Sequence, residues 1–322
     1  MTAASAPRIG LKLATEDLGP AEVVELAVLA EDAGLDFVEL SDHFHPWLST
    51  QHHSPNTWVT LGAIAARTTH LGLVTGVTCP SFRYHPAIVA HMAATLQLIS
   101  DGRFTLGVGS GERLNEHITG EPFPAVDKRH EALREALQII RMLWKGGYQS
   151  FDGRYLQLED ARVFDLPETL PPICVAASGG QSLAVATDLG DGLFAVEPDA
   201  DLVSGFRSAG GTGPIYGEVS MAWGPDADAA AAAAAKTATF GLLGWKVMAE
   251  LPNPVNFDAA VAHLGEDDIR AQMPVGPDLE PHVEAARAYL DAGFDNLVLN
   301  CTGGDVRGFI RFAAEDLIPR LR

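Results

Sequence analysis

One alternation restricts this chain more than any other feature: a short β-rich apolar run, a loop, then a helical stretch, repeated along 322 residues. Arg8–Ala14, Phe37–Ser41, Leu71–Thr78 and Arg103–Gly109 read as strands in the first half. Pro20 and Pro86 sit where first-turn prolines belong and open helices to about Ala33 and Ile99, with Gly34 stopping the first. Pro55–Thr68 and Lys128–Lys145 read as two more helices. In the second half, Pro172–Ala176, Leu193–Val196, Pro214–Trp223 and Asp295–Cys301 bring the strands to eight. Helices are expected from Gln181, from Asp201 and over Val306–Leu321. Such units imply parallel strands with right-handed crossovers. Eight of them in a chain of this length are best closed as an α/β fold of the (β/α)8 TIM-barrel type, a doubly wound open sheet being the alternative.

The whole chain, 1–322, is expected to form one barrel domain with three intervals beyond a minimal barrel. The first, 110–127, follows the fourth strand. The second, 146–170, contains an apparent hairpin turning at Asp152–Gly153. The third, 226–276, follows the seventh strand and includes the run Ala229–Ala235, which reads as a helix. Long insertions in a compact domain are usually functional or mobile, and this one should lie over the barrel mouth.

Composition narrows the function classes. A 47% hydrophobic fraction supplies material for a large core, yet no segment nears the roughly 20 unbroken apolar residues of a membrane span. The N-terminus lacks a basic region followed by a long apolar stretch, so no signal peptide is expected. Cys79, Cys174 and Cys301 are sparse, odd in number and without metal spacing, which suits a reducing cytoplasm. The formal net charge of −20 repels nucleic acid and anionic membranes, and it is read as a solvated acidic surface.

Barrel active sites form at the C-terminal ends of strands, so the residues after each run carry the functional reading. Ser41–Trp47, SDHFHPW, places an acid, two imidazoles and an indole in one loop. His43 suits acid/base work because its ordinary pKa is about 6.5. Asp42 suits tautomer fixing or a cofactor hydroxyl, and Trp47 offers a π-face for substrate or charge. The alternative is a structured loop with a packed indole and solvent-facing histidines. After the third strand, Gly76 in Thr75–Tyr84 marks either a close backbone approach to a ligand or a plain strand break. After the fourth, Gly107, Gly109 and Gly111 lack the position and partner acid of a dinucleotide fingerprint. They suit a backbone lying close to a flat ring, and Glu112 follows as a candidate proton donor. After the fifth, Ala177, Ser178, Gly179 and Gly180 open a helix whose free N–H groups suit an anion, unless Ser178 merely caps it. His43 with His45, and His52 with His53, find no third ligand set, so no metal site is expected.

The motifs SDHFHPW, TCPSFRYHP and LGVGSGERLNEH, in this order after strands two, three and four, resemble the luciferase-like flavin and deazaflavin oxidoreductases. More narrowly, they are similar to the branch with coenzyme F420-dependent glucose-6-phosphate dehydrogenases and secondary-alcohol dehydrogenases. The resemblance runs from RIGLKLA to LIPRLR. It implies a deazaflavin across the mouth, with Asp42 on the ring system, Gly76–Val77 as a non-prolyl cis peptide behind the ring, and Cys79, Gly109 and Asn115 nearby. It implies that Ala177–Gly180 holds the phosphate, that His43 and Glu112 flank the substrate as base and acid, and that Trp47 stabilises the transition state. A homodimer is also implied.

The activity so implied is hydride transfer between F420 and a small-molecule or peptide-derived substrate. The reaction is alcohol oxidation or reduction of a C=C, C=O or C=N bond. One departure stands out: Glu197 and Asp199 follow the sixth strand, and 253–262 reads NPVNFDAAVA, where the sugar-phosphate enzymes place basic residues. Burying a phosphate without a cation is costly, so glucose-6-phosphate is not the expected substrate. Alternatives are an FMN-dependent monooxygenase, a reductase of dehydroamino acids in peptide natural products, and a cofactor-binding barrel without turnover.

Overall fold

The apolar runs do become strands. The computed structural model describes residues 6–322. Its barrel strands are β1 (Arg8–Leu13), β2 (Phe37–Leu40), β3 (Gly72–Thr75), β4 (Phe104–Val108), β5 (Ile173–Ala176), β6 (Gly192–Ala195), β7 (Ile215–Met221) and β8 (Asn296–Cys301). They pair in chain order, all parallel, and β8 closes on β1, giving the expected TIM barrel. Pro20 and Pro86 occupy the first turns of Pro20–Asp32 and Pro86–Ile99, as their missing N–H groups allow. The helix Thr57–Arg67 starts two residues after Pro55, because the Asn56 side chain accepts from Val59 N and sets the cap there. Leu279–Asp291, which the sequence reading leaves unassigned, is the crossover helix between β7 and β8.

The insertions are structured. The hairpin joins Gln149–Asp152 to Gln157–Ala161, with Gly153 N bonded to Leu156 O across the turn. The interval 226–276 contains Ala227–Thr237, Thr239–Leu243, Trp245–Met248, Pro254–Val261 and Glu266–Gln272, so the alanine run is helical as expected. Among the described residues, no helix is long and apolar enough to cross a membrane.

Alternation along the strands separates two cores. Ile9, Leu11 and Leu13 belong to the larger core with the helices, while Phe37, Val74, Cys174, Phe194, Tyr216 and Val298 pack together inside the barrel. Tyr216 meets Phe37 edge-on at 5.3 Å and stacks on Phe194 at 5.7 Å. Gly10 gives the Phe37 ring its space, since a Cβ there would lie 2.4 Å from it.

Two residues further along their strands, the same interior positions become polar or charged. Lys12, Glu39, Glu218 and Asn300 follow Gly10, Phe37, Tyr216 and Val298. Lys12 Nζ lies 2.7 Å from Glu218 Oε2 and 3.2 Å from Glu39 Oε1, and Asn300 Nδ2 donates to Glu218 Oε1 at 2.9 Å. One ammonium cannot balance two buried carboxylates. Burial and repulsion from Glu218 outweigh the lysine and push Glu39 up to about 8. Burial alone would lower Lys12, but the surrounding carboxylates hold it raised and charged.

A carboxyl whose folded pKa is raised contributes stability that is present below its unfolded pKa, about 4.3. That contribution is lost as pH rises through the folded value. Wild type should therefore lose stability relative to Glu39→Gln between about pH 5 and pH 8. Denaturant melts of both proteins across that range check this; parallel curves would contradict a protonated Glu39.

Candidate active site

Three loops meet over this charged layer. The Asp42 carboxylate, behind β2, accepts from Trp58 Nε1 at 3.2 Å and from Thr78 Oγ1 at 2.7 Å through Oδ2. Its Oδ1 accepts from the Arg83 guanidinium at 3.1 Å, and the same guanidinium donates to the Asp42 carbonyl at 2.6 Å. Arg83, behind β3, also reaches Glu116 behind β4: its backbone N donates to Oε2 at 2.8 Å and its Nε lies 3.6 Å from Oε1. One buried cation therefore ties the loops of three successive strands together. Burial and the Glu112 charge push Glu116 up to about 7 against the pull of Arg83. Asp42 is 3% exposed and both its oxygens are engaged by protein, so what the structure displays of it is a brace between loops.

His43 stands between two carboxylates. Its Nδ1 is 2.6 Å from Glu16 Oε1 and its Nε2 is 3.9 Å from Glu112 Oε1. Burial opposes protonation of His43, but Glu16 and then Glu112 outweigh it and raise the pKa. Burial also opposes ionisation of Glu16, yet His43 and Lys12 hold that carboxyl down to about 2. Glu16, just past β1, escaped the sequence reading, as did Lys12, Glu39 and Glu218. The only available signal was a charge set inside apolar runs, in GLKLA, FVELS and YGEVSM.

Trp47 packs against His43 with ring centroids 4.8 Å apart and an angle of 80°. Phe240 stacks on the indole at 4.8 Å and 11°, and Phe257 meets it at 5.2 Å. Ser49 N donates to Asp258, and Thr50 and Gln51 donate to the carbonyls of Lys236 and Thr237. The 226–276 interval therefore roofs the His43–Trp47 loop, as its position after β7 suggested.

The ends of β3 and β4 form a platform made largely of backbone. The Gly76–Val77 peptide is cis, as the resemblance implied. Val77 is partly exposed, and its side chain leaves no room for a Cβ at Gly109, which would come within 2.8 Å. A Cβ at Gly76 would collide with the Glu39 carboxyl, and one at Gly111 would lie 2.7 Å from Cys79 Sγ. Cys79 is buried, with its thiol pushed well up by burial and by Glu116. Ala177 is buried, whereas Ser178, Gly179 and Gly180 are exposed at the start of Gly180–Leu189. The N-cap is Gly179 without a side-chain bond, so capping by Ser178 does not occur; Ser178 N instead donates to Ser182 Oγ. A Cβ at Gly179 or Gly180 would meet nothing within 4 Å, leaving open space over the first-turn N–H groups. Val77 and the glycine platform suit a flat ring, and this turn suits the phosphate of its tail.

His45 Nδ1 pairs with Leu114 O, and His52 and His53 are exposed. The histidine pairs thus serve the loops separately. Asn115 is fully buried and bonds Phe44 N, His45 N and Glu112.

A TIM barrel with an imidazole between carboxylates beside a glycine platform has the make-up of a cofactor-dependent enzyme. The chain belongs to the luciferase-like monooxygenase family, whose profile matches residues 3–208. It is 35% identical over 328 residues to a protein of Microbacterium testaceum named F420-dependent glucose-6-phosphate dehydrogenase, covering 98% of this chain and 97% of that one. It is 36% identical over 324 residues to the F420-dependent hydroxymycolic acid dehydrogenase of Mycobacterium tuberculosis, covering 98% and 88%. An F420-dependent secondary alcohol dehydrogenase, solved with an F420-acetone adduct, superimposes with a TM-score of 0.90 at 28% identity over 98% of this chain and 99% of that one.

Arg83→Met would keep most of the stem packing and leave Asp42 and Glu116 without their shared cation. We expect it to cost about 3 kcal/mol of stability. Adding Glu116→Gln should recover part of the loss. Equilibrium denaturation measures both, and an unchanged midpoint in the single variant would show that the clasp carries no weight.

Proposed function

We propose that this protein is a coenzyme F420-dependent oxidoreductase transferring hydride between the deazaflavin and a small uncharged substrate. The reaction is oxidation of an alcohol or reduction of a C=C, C=O or C=N bond. The observation that carries this reading is the 3.9 Å separation of His43 Nε2 from Glu112 Oε1. One substrate oxygen placed beside the pair, off the line joining them, can lie within about 3 Å of both atoms. The F420-dependent names of the two relatives and of the superimposed structure support the cofactor.

The bound deazaflavin supplies a hydride acceptor or donor, and the chain does the rest. Val77, Gly76, Gly109 and Cys79 would form the surface behind the ring, braced by Asp42 and Asn115, while Ala177, Ser178, Gly179 and Gly180 would receive the phosphate. In alcohol oxidation His43 takes the hydroxyl proton at Nε2. Glu16, against Nδ1, keeps a proton on that nitrogen and balances the imidazolium that forms. In the reductive direction Glu112 would serve as the acid, giving its proton from Oε2 while Oε1 faces the imidazole. Trp47, packed on the imidazole, stabilises the charge that develops and helps exclude water.

The acids at the mouth favour an uncharged substrate. Glu197 and Asp199 are exposed after β6, where Asp199 also caps Ala200–Ser208, and 253–262 carries no lysine or arginine. Neither segment offers a phosphate a cationic partner, which argues against glucose-6-phosphate. We further infer one barrel domain over 1–322, acting as a cytoplasmic homodimer; both rest on the resemblance and on the pattern of the chain.

Titration with F420 should quench tryptophan fluorescence to saturation at micromolar concentrations, with FMN competing poorly. His43→Ala and Glu112→Gln should each lower turnover about 100-fold or more while leaving F420 affinity within about threefold. Absence of saturable binding, or full turnover in both variants, would overturn the reading.

The direction of the His43 shift sets the pH profile. Oxidation needs Nε2 unprotonated, so its rate should rise with pH through a value above the ordinary histidine pKa of about 6.5. Glu16→Gln removes the main raising charge and should move that limb to lower pH. The pH dependence of kcat in both proteins tests this, and a limb that stays in place would rule Glu16 out of this role.

A further inference from the structure

We propose that Asn115 is a positioning residue that aims one oxygen of Glu112 at His43 and fixes that oxygen as a hydrogen-bond acceptor. The proposal rests on the reading that His43 and Glu112 flank the substrate.

The argument is one of donors and acceptors. Asn115 Oδ1 receives Phe44 N at 2.7 Å and His45 N at 2.9 Å. Backbone N–H groups only donate, so the carbonyl half of the amide must face them. The amino half must then face Glu112, whose Oε1 lies 2.6 Å from Nδ2. An amide N–H cannot accept, so Oε1 is the accepting oxygen. It is this same Oε1 that faces His43 Nε2. A proton carried by Glu112 therefore belongs on Oε2, and Oε1 is left to receive the hydrogen of a substrate hydroxyl or of an imidazolium. One buried amide thus links the loop that bears His43 to the carboxylate opposite it and divides that carboxylate's two oxygens by role. Losing the amide need not free the loops, because His45 Nδ1 is also paired with Leu114 O at 3.0 Å.

The test is an NMR titration of the His43 imidazole in the cofactor-free protein, where Glu16, Glu112 and Lys12 are the charges acting on it. Glu112→Gln should lower the His43 pKa by about half a pH unit or more, since a neighbouring carboxylate favours the cation. Asn115→Ala should lower it by most of the same amount, because Glu112 is no longer held toward Nε2. A His43 titration unmoved in Asn115→Ala but lowered in Glu112→Gln would overturn the proposal alone. No change in Glu112→Gln would instead remove the His43–Glu112 pairing on which the functional reading depends.

Should Asn115→Ala fail to fold, Asn115→Asp keeps the acceptor for Phe44 N and His45 N. It also places two carboxylates in contact, and these cannot both ionise. One carboxyl of that pair should then titrate well above the ordinary carboxyl range by ¹³C NMR. Ordinary titration of both would overturn the contact and the proposal with it.

Discussion

Three cations buried at the mouth of this barrel are each shared by two carboxyl groups. Lys12 lies between Glu39 and Glu218, Arg83 between Asp42 and Glu116, and His43 between Glu16 and Glu112. A buried charge is tolerated only when it is paired, so every such unit has one acid too many. The excess is relieved by keeping protons: Glu39 and Glu116 are pushed up to about 8 and about 7, and His43 holds its proton more tightly than an isolated imidazole does. The result is a store of protons close to neutral pH, layered under and around the place where a hydride would move. The units also fasten separate elements together. Lys12 joins β1 to β2 and β7, Arg83 joins the loops of β2, β3 and β4, and His43 joins the ends of β1, β2 and β4.

That arrangement explains which parts of the molecule the sequence revealed. The strands were legible because parallel barrel strands are buried on both faces and read as apolar runs. The loops were legible because their glycines, histidines and acids cluster directly after those runs. Lys12, Glu39 and Glu218 were not legible, since a charge within an apolar run reads as an exception until closure of the barrel brings three strands round it. Glu16 was hidden for a related reason: it sits among the Thr15–Leu18 turn residues, and only its approach to His43 gives it a role. The negative charge was read as wholly a surface property, and part of it instead lies inside.

Asp42 and Asn115 show a different limit. The motif placed both near the ring, and both do lie where the loops converge. Motif position cannot tell which atoms a carboxylate or amide spends on the protein itself. The structure shows Asp42 fully engaged by Trp58, Thr78 and Arg83, and Asn115 engaged by two backbone N–H groups and Glu112. Family loops can therefore agree in sequence because they must hold one another in place, as well as because they touch a ligand.

The mouth divides by the kind of atom it presents, and the division bears on substrate choice. The surface suited to the ring and its tail is mostly backbone, from Gly76 and Val77 through Gly107 and Gly109 to Gly179 and Gly180. Backbone geometry survives wide sequence change, so relatives about one-third identical can hold one cofactor while differing in what they oxidise or reduce. The opposite side is built from side chains: His43, Glu112 and Trp47 under a roof containing Phe240 and Phe257. There, an anionic substrate would be pressed against an excess of carboxylates in a poorly solvated space, where repulsion is much less screened than in water. The exposed Gly179–Gly180 turn, with its free N–H groups, would give the anionic tail of a deazaflavin a place away from these carboxylates. A neutral alcohol or carbonyl compound would meet no such repulsion, and its oxygen could lie beside His43 Nε2 and Glu112 Oε1 together.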